Sequence, residues 1–371
     1  MSDRQRIYYT RIDDCPYGNR MPQVDLHELA MTSALELADK EGSRSYPVKF
    51  PIDGPPIRIV RLADVLYLPS LLDTGQSVQI VRERLFPIET TFDDWASEFV
   101  KSQAQARGRM KFSDFVDSDH AGDVCILGNL FSRNFTHWHE ELMKLTMMEQ
   151  AGMDCVYVVS ELPKFARELL DLLGIPAHRI LEVRGPTRFR SALYATPVSY
   201  RNVADYPAVL MALRDRLLAI DVSDEPTASG KLWLDRGKQT RLGRSLVNED
   251  EVYRLVERYE FQRLDMGALS VKAQIAIARN MSVLAGLHGS QFVHAQLMPR
   301  RSNVIECFTP LYLNPTYTDI YRVMRHRYSQ VCSYNTPLFP DSHGGDVWVD
   351  CQQLDLAMQA ACEDVLDKSP S

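Results

Sequence analysis

At 371 residues and 42.4 kDa, the chain is longer than a single hydrophobic core usually grows, so two domains are expected. Apolar residues make up 45% and charged residues 25%, which excludes a disordered chain, a collagen-like repeat and a disulfide-scaffold miniprotein. A net charge of -7 argues against a protein that coats nucleic acid or an anionic membrane.

The opening MSDRQRIYYTRIDD lacks the apolar segment of a secretory leader, and no later stretch reaches the roughly 20 apolar residues of a membrane span, so any membrane contact is expected to be peripheral. The seven cysteines (Cys15, Cys125, Cys155, Cys307, Cys332, Cys351, Cys362) stand singly with no C-x-x-C. That pattern predicts buried free thiols in a reducing compartment, read here as the cytoplasm.

Strand-like runs come first around Val65 to Leu71 and Val78 to Val81, separated by Asp73-Thr74-Gly75. From Asp123 the rhythm becomes regular. Val124 to Leu127 reads as a buried strand, 131–145 as a helix, Cys155 to Val159 as a strand, Pro163 to Leu173 as a helix closed by Gly174, and Ile180 to Val183 as a strand. This alternation predicts an α/β domain with a parallel sheet. A helix near Pro207 to Ile220 and a polar crossing, Asp221 to Gly230, lead to a second α/β block. Its predicted strands are Leu232–Leu234, Phe261–Leu264, Ser282–Leu287 and Val304–Cys307. Its helices start near Asn248, Ser270 and Ser290, and a last helix spans about Cys351 to Asp367. Ligands of such folds bind at the carboxyl ends of the strands, so motifs there carry the most weight.

On the helix around 131–145, Phe131, Phe135, Trp138, Leu142 and Leu145 form one apolar stripe, which makes Trp138 core. Asn134, His137, Glu141 and Lys144 form the adjoining stripe. His137 and Glu141 are four apart and can meet, and a carboxylate beside an imidazole orients a general base for a hydroxyl. The run His137-Trp138-His139-Glu140-Glu141 also suggests a metal cluster. On a helix, however, the two histidines lie about 160° apart, and the H-E-x-x-H spacing is missing.

In the second block, the strand Ser282–Leu287 runs into His288-Gly289-Ser290 and a predicted helix, a junction whose free N–H groups suit an anion. Gly289 would let backbone approach a phosphate; a simple helix cap is the plainer reading. Arg236 at the end of Leu232–Leu234 and Arg244 in the following loop can neutralise a diphosphate, or belong to a solvated basic loop with Lys238 and Arg241. Asn248 with Glu251 has the spacing of a capping box. Glu306, at the end of Val304-Ile305, suits ribose hydroxyls or a structural ion pair equally. Asp117-Ser118-Asp119 has the D-x-D form of metal-held sugar nucleotides but precedes its strand, and is discounted.

Taken in order, Asn134, His137, Trp138, Glu141, Arg236, Arg244, Asn248-Glu249, Gln274, His288-Gly289 and Glu306 resemble glycosyltransferase family 61 across roughly Asp123 to Pro310. The resemblance implies a GT-B-like α/β architecture of two Rossmann-like domains facing across a cleft: an acceptor-side domain 1–200, a nucleotide-sugar-binding domain 201–345, and a terminal helix 346–371 returning to the first. It implies an inverting transfer from a nucleotide-diphosphate sugar to a hydroxyl acceptor in glycan or capsular polysaccharide biosynthesis. His137 or Glu141 would be the catalytic base, and Asn134, Arg236, Arg244, His288, Gly289, Ser290 and Glu306 would bind the donor. No cofactor is required, while a divalent metal is compatible. The chain departs from the family's usual aspartate at Glu141, alanine at Ser290, glycine at Gln291 and asparagine at His294. A metal-dependent hydrolase built on His137, His139 and nearby carboxylates, and a non-catalytic nucleotide-sugar binder, are the rival expectations.

Overall fold

Short runs of Val, Ile and Leu bounded by turn residues become the strands of two sheets in the computed structural model. It describes residues 45–48, 57–68, 78–81, 84–87, 115–127, 135–160, 162–196, 198–228, 230–236, 245–308, 315–335 and 346–367. The described residues divide into two compact units, the first ending at Arg216 and the second beginning at Leu217.

In the N-terminal unit the strands are β1 (Ser45–Val48), β2 (Ile57–Leu68), β3 (Val78–Val81), β4 (Arg84–Pro87), β5 (Val116–Asp117), β6 (Val124–Ile126), β7 (Val156–Val159), β8 (Ile180–Glu182) and β9 (Thr187–Ala195). They form one sheet along the path β4-β3-β2-β9-β6-β7-β8, with β1 on β2 and β5 on β9. The β9-β6-β7-β8 half is parallel and the β4-β3-β2-β9 half antiparallel. The expected Rossmann-like winding thus accounts for only half of this sheet. The rest pairs as a meander because the connections from β2 to β3 and from β3 to β4 are too short for the crossover that parallel pairing needs.

Two helices serve the parallel half, α1 (Phe135–Gln150) between β6 and β7 and α2 (Lys164–Leu172) between β7 and β8. The second ends as expected at Gly174, whose φ of +73° is a conformation that costs glycine little. There the Ile175 amide reaches back to the Leu170 carbonyl at 3.0 Å. A third helix, α3 (Pro207–Leu218), follows β9.

The C-terminal unit holds β10 (Lys231–Leu234), β11 (Gln262–Leu264), β12 (Val283–Leu287), β13 (Asn303–Phe308), β14 (Arg327–Asn335) and β15 (Val347–Val349), in the order β11-β10-β12-β13-β14-β15. All pairs are parallel except β14-β15. Its helices are α4 (Glu249–Arg258), α5 (Val271–Ala278), α6 (Thr318–Met324) and α7 (Cys351–Asp367). The central strands β12 and β13 are buried along their whole length, as expected of strands covered on both faces. Gly286 allows β12 to lie close to β10: a Cβ there would stand 2.9 Å from the Leu234 Cβ.

The last helix packs within the C-terminal unit. Leu354, Ala357, Met358 and Ala361 of α7 join Val252, Leu255 and Val256 of α4 in one core with Trp233, Ile305 and Val349. The helix is a layer of the C-terminal unit because its apolar stripe matches that sheet face. Among the described residues no helix is long and apolar enough to cross a membrane, and Cys125, Cys155, Cys307, Cys332, Cys351 and Cys362 are free thiols. Burial pushes the Cys155 thiol up to about 11 and the Cys125 thiol well above its ordinary range, which makes both poor nucleophiles.

Candidate functional site

In the C-terminal sheet the winding reverses between β10 and β12, and crevices at such switch points, at the carboxyl ends of the strands, take ligands in open α/β sheets. Two sequence-predicted segments meet there. The Asp235 amide still bonds the Leu264 carbonyl and the His288 amide the Cys307 carbonyl, so the sheet fixes the backbone on both sides of the crevice. Arg236 donates from its guanidinium to the His288 carbonyl. The next residue, Gly289, leaves room for that guanidinium, which a Cβ there would displace.

His288 is held on every side. Its Nδ1 lies 2.5 Å from Glu306 Oε1, and the Tyr321 hydroxyl donates to Glu306 Oε2 at 3.1 Å. The ring stacks on Phe308 at 4.6 Å and meets Tyr317 at 5.7 Å. Glu306 is only 1% exposed. Both of its carboxylate oxygens are engaged by side chains of the protein. Burial pushes the Tyr321 hydroxyl well above its ordinary range, so it stays protonated as the donor.

Ser290 opens a seven-residue 3-10 helix, Ser290–Gln296, in place of the α-helix predicted from sequence. Fewer peptide dipoles align in so short an element, so the positive charge at this turn comes chiefly from Arg236. Farther along the same turn, burial holds the His294 imidazole down at about 3, neutral across the physiological range. Arg244 and Asn134 lie outside the described residues.

Two other residues of the motif prove architectural. Asn248 makes no side-chain cap on α4. Its amide instead pairs with both backbone groups of Val349, donating to the carbonyl at 2.9 Å and accepting from the amide at 3.0 Å. Gln274 donates to the Leu269 carbonyl at 3.1 Å and ties α5 to the loop before it.

In the N-terminal unit, α1 follows β6, and its first turns carry the predicted base. The stripe reading holds for Trp138, Leu142 and Leu145, all buried. The pairing reading shifts by one residue. His137 Nδ1 meets Glu140 Oε2 at 2.8 Å, an i,i+3 contact, whereas Glu141 pairs with Lys144 at 2.7 Å. Lys144 also donates to the Ile126 carbonyl at the end of β6, so Glu141 and Lys144 anchor the helix to its strand. Burial raises the Glu141 carboxyl and Lys144 opposes that rise. Glu140, missed from sequence, accepts the Tyr200 amide at 2.9 Å on its other oxygen and thereby links His137 to the segment after β9. The signal was present in the composition of the helix: two adjacent glutamates, one of them three residues from a lysine, leave the other for the histidine.

His139 turns away from this pair and packs edge-on against Phe135 at 4.8 Å. Among the described residues no group of three or more His, Cys, Asp or Glu is arranged to hold a metal ion. Asp117 of the D-x-D run is exposed on β5.

Residues 135–305 match the family model described as Glycosyltransferase 61, a span that contains His137, Glu140, Arg236, His288 and Gly289 and stops one residue before Glu306. The EGF domain-specific O-linked N-acetylglucosamine transferase of Drosophila melanogaster is 32% identical over 88 residues, 23% of this chain and 17% of that protein. The chain thus spans about a sixth of that relative's length.

Proposed function

From the match of residues 135–305 to the Glycosyltransferase 61 model, we propose that the protein is an inverting, GT-B-type glycosyltransferase that moves a sugar from a nucleotide-diphosphate donor to a hydroxyl acceptor in glycan biosynthesis. The observation that carries this reading is Arg236 seated on the His288-Gly289 turn at the switch point of the C-terminal sheet. A guanidinium there offers forked, charge-assisted hydrogen bonds to a diphosphate. His137 is the base, and Glu140 on Nδ1 leaves Nε2 as the nitrogen that takes the proton.

The step balances simply. The acceptor hydroxyl gives its proton to His137, its oxygen bonds the anomeric carbon on the face opposite the nucleotide, and the bond to the diphosphate breaks with its electron pair leaving on phosphate oxygen. Negative charge grows on the diphosphate in this step, so preorganised donors such as Arg236 and His288 contribute most in the transition state. The acceptor is a glycan or glycoconjugate, no cofactor beyond the donor is required, and activity in chelator tests that last point. The buried thiols suit a reducing compartment, and a cytoplasmic location belongs to the same proposal.

The first test is a thermal-shift screen against UDP, GDP, CMP, dTDP and their common sugars, with and without divalent metal. A ligand that binds only the folded state at a hundred times its dissociation constant adds about 2.7 kcal/mol. A selective rise lost in Arg236→Ala supports the donor site. No nucleotide response, with stabilisation by metal alone, would overturn it, and binding without turnover over a broad acceptor panel would favour the non-catalytic binder.

A further inference from the structure

Resting on the donor site proposed above, one buried cluster goes beyond it. Glu306 on β13 and Tyr321 on α6 lie behind His288. We propose that Glu306 is a positioning residue that acts on the donor diphosphate only through His288, holding the proton on Nδ1 and aiming the opposite ring edge at the phosphates, with Tyr321 keeping the carboxylate in place.

Four observations fix this geometry. The ionised carboxylate only accepts hydrogen bonds, so at 2.5 Å the shared proton belongs to Nδ1. Phe308 stacks on the ring and sets its plane. The backbone of His288 is pinned through its amide to Cys307 and through its carbonyl to Arg236. The second carboxylate oxygen is occupied by the Tyr321 hydroxyl, so the carboxylate cannot turn toward a ligand without losing that bond. Among the described residues, groups facing the ring from neighbouring elements include Arg236 after β10, Glu306 on β13, and Tyr317 and Tyr321 at and within α6. Only Glu306 among them supplies negative charge. A carboxylate bound to one ring nitrogen fixes the direction in which the opposite nitrogen is presented, as it does for histidines that ligate metals.

The test is a double-mutant cycle read as diphosphate affinity by titration calorimetry, with UDP, GDP, CDP, ADP and dTDP as probes. Glu306→Gln keeps the side-chain shape and Tyr321→Phe keeps the ring. The first is expected to weaken binding about tenfold or more and the second severalfold, with melting curves confirming folded protein. In a His288→Asn background both substitutions should have no further effect. A merely structural role would weaken binding equally in the two backgrounds. A carboxylate that contacts ribose directly would give effects that multiply with His288→Asn, and either result overturns the inference. If Glu306→Gln does not fold, the Tyr321→Phe arm of the cycle decides by the same criterion. Should none of the five diphosphates bind the unaltered protein, the donor-site reading itself falls and this one with it; binding with a multiplicative cycle refutes the positioning role alone.

Discussion

Glu140 and Glu141 are adjacent, both buried, and do different work. Glu140 orients His137, while Glu141 is bound to Lys144. The division makes a prediction at a single residue. Glu140→Gln keeps an acceptor for the Tyr200 amide but loses the charge beside the imidazole, so turnover should fall by about 10²-fold, with nucleotide affinity nearly kept. His137→Ala should fall at least as far. Glu141→Gln should instead remove the ion-pair partner of Lys144 near the end of β6 and lower the melting temperature with a smaller effect on turnover. Steady-state rates and melting curves on the three variants separate the roles, and equal losses of turnover from the two glutamine variants would refute the assignment.

At the scale of elements, the Asn248 side chain acts as one more rung at the sheet edge. Removing it in Asn248→Ala leaves the N–H and C=O of Val349 buried without these partners, at a cost of about 2 kcal/mol or more. Glu251→Ala, the other half of the expected capping box, should cost less than half as much, because no cap forms on α4. Thermal melts test the order of the two, and the reverse order would restore the box.

The same element shows what a sequence reveals. Asn248 was correctly read as structural, yet its partner lies 101 residues away on a three-residue strand that no local pattern announces. The regular β-α alternation from Val124 onward was legible because apolar runs and glycine stops dominate it. Two long strands escaped. β9 carries exposed Arg188 and Arg190 around buried Phe189, and β14 buries Gln330 and Ser333 where an apolar run would be expected. Their polar side chains hide the strand signal, while the β2-β9 and β13-β14 pairings supply the stability that propensity does not. The site was legible as residue types at strand ends. Which carboxylate meets which imidazole depends on competition with Lys144 and Tyr321, which spacing alone does not resolve.

Across the whole molecule each unit presents, near the carboxyl ends of its parallel strands, an imidazole held through Nδ1 by a buried carboxylate: His137 with Glu140, and His288 with Glu306. Another histidine, the buried His294, bears on the stability of the chain against acid. His294 titrates near 6.5 when unfolded and is held down to about 3 by burial in the folded protein. Between those values the unfolded chain binds the extra proton, so the stabilising contribution is complete above about pH 6.5 and is lost as the pH falls toward 3. Glu141 works in the opposite sense, since a carboxyl raised on folding takes up its proton first in the folded state and adds stability as the pH falls. If His294 is the larger effect, the melting temperature of the unaltered protein should drop between pH 7 and pH 5 by several degrees more than that of His294→Asn, whose amide does not titrate. Parallel curves for the two proteins over that range would show that the acid sensitivity lies elsewhere.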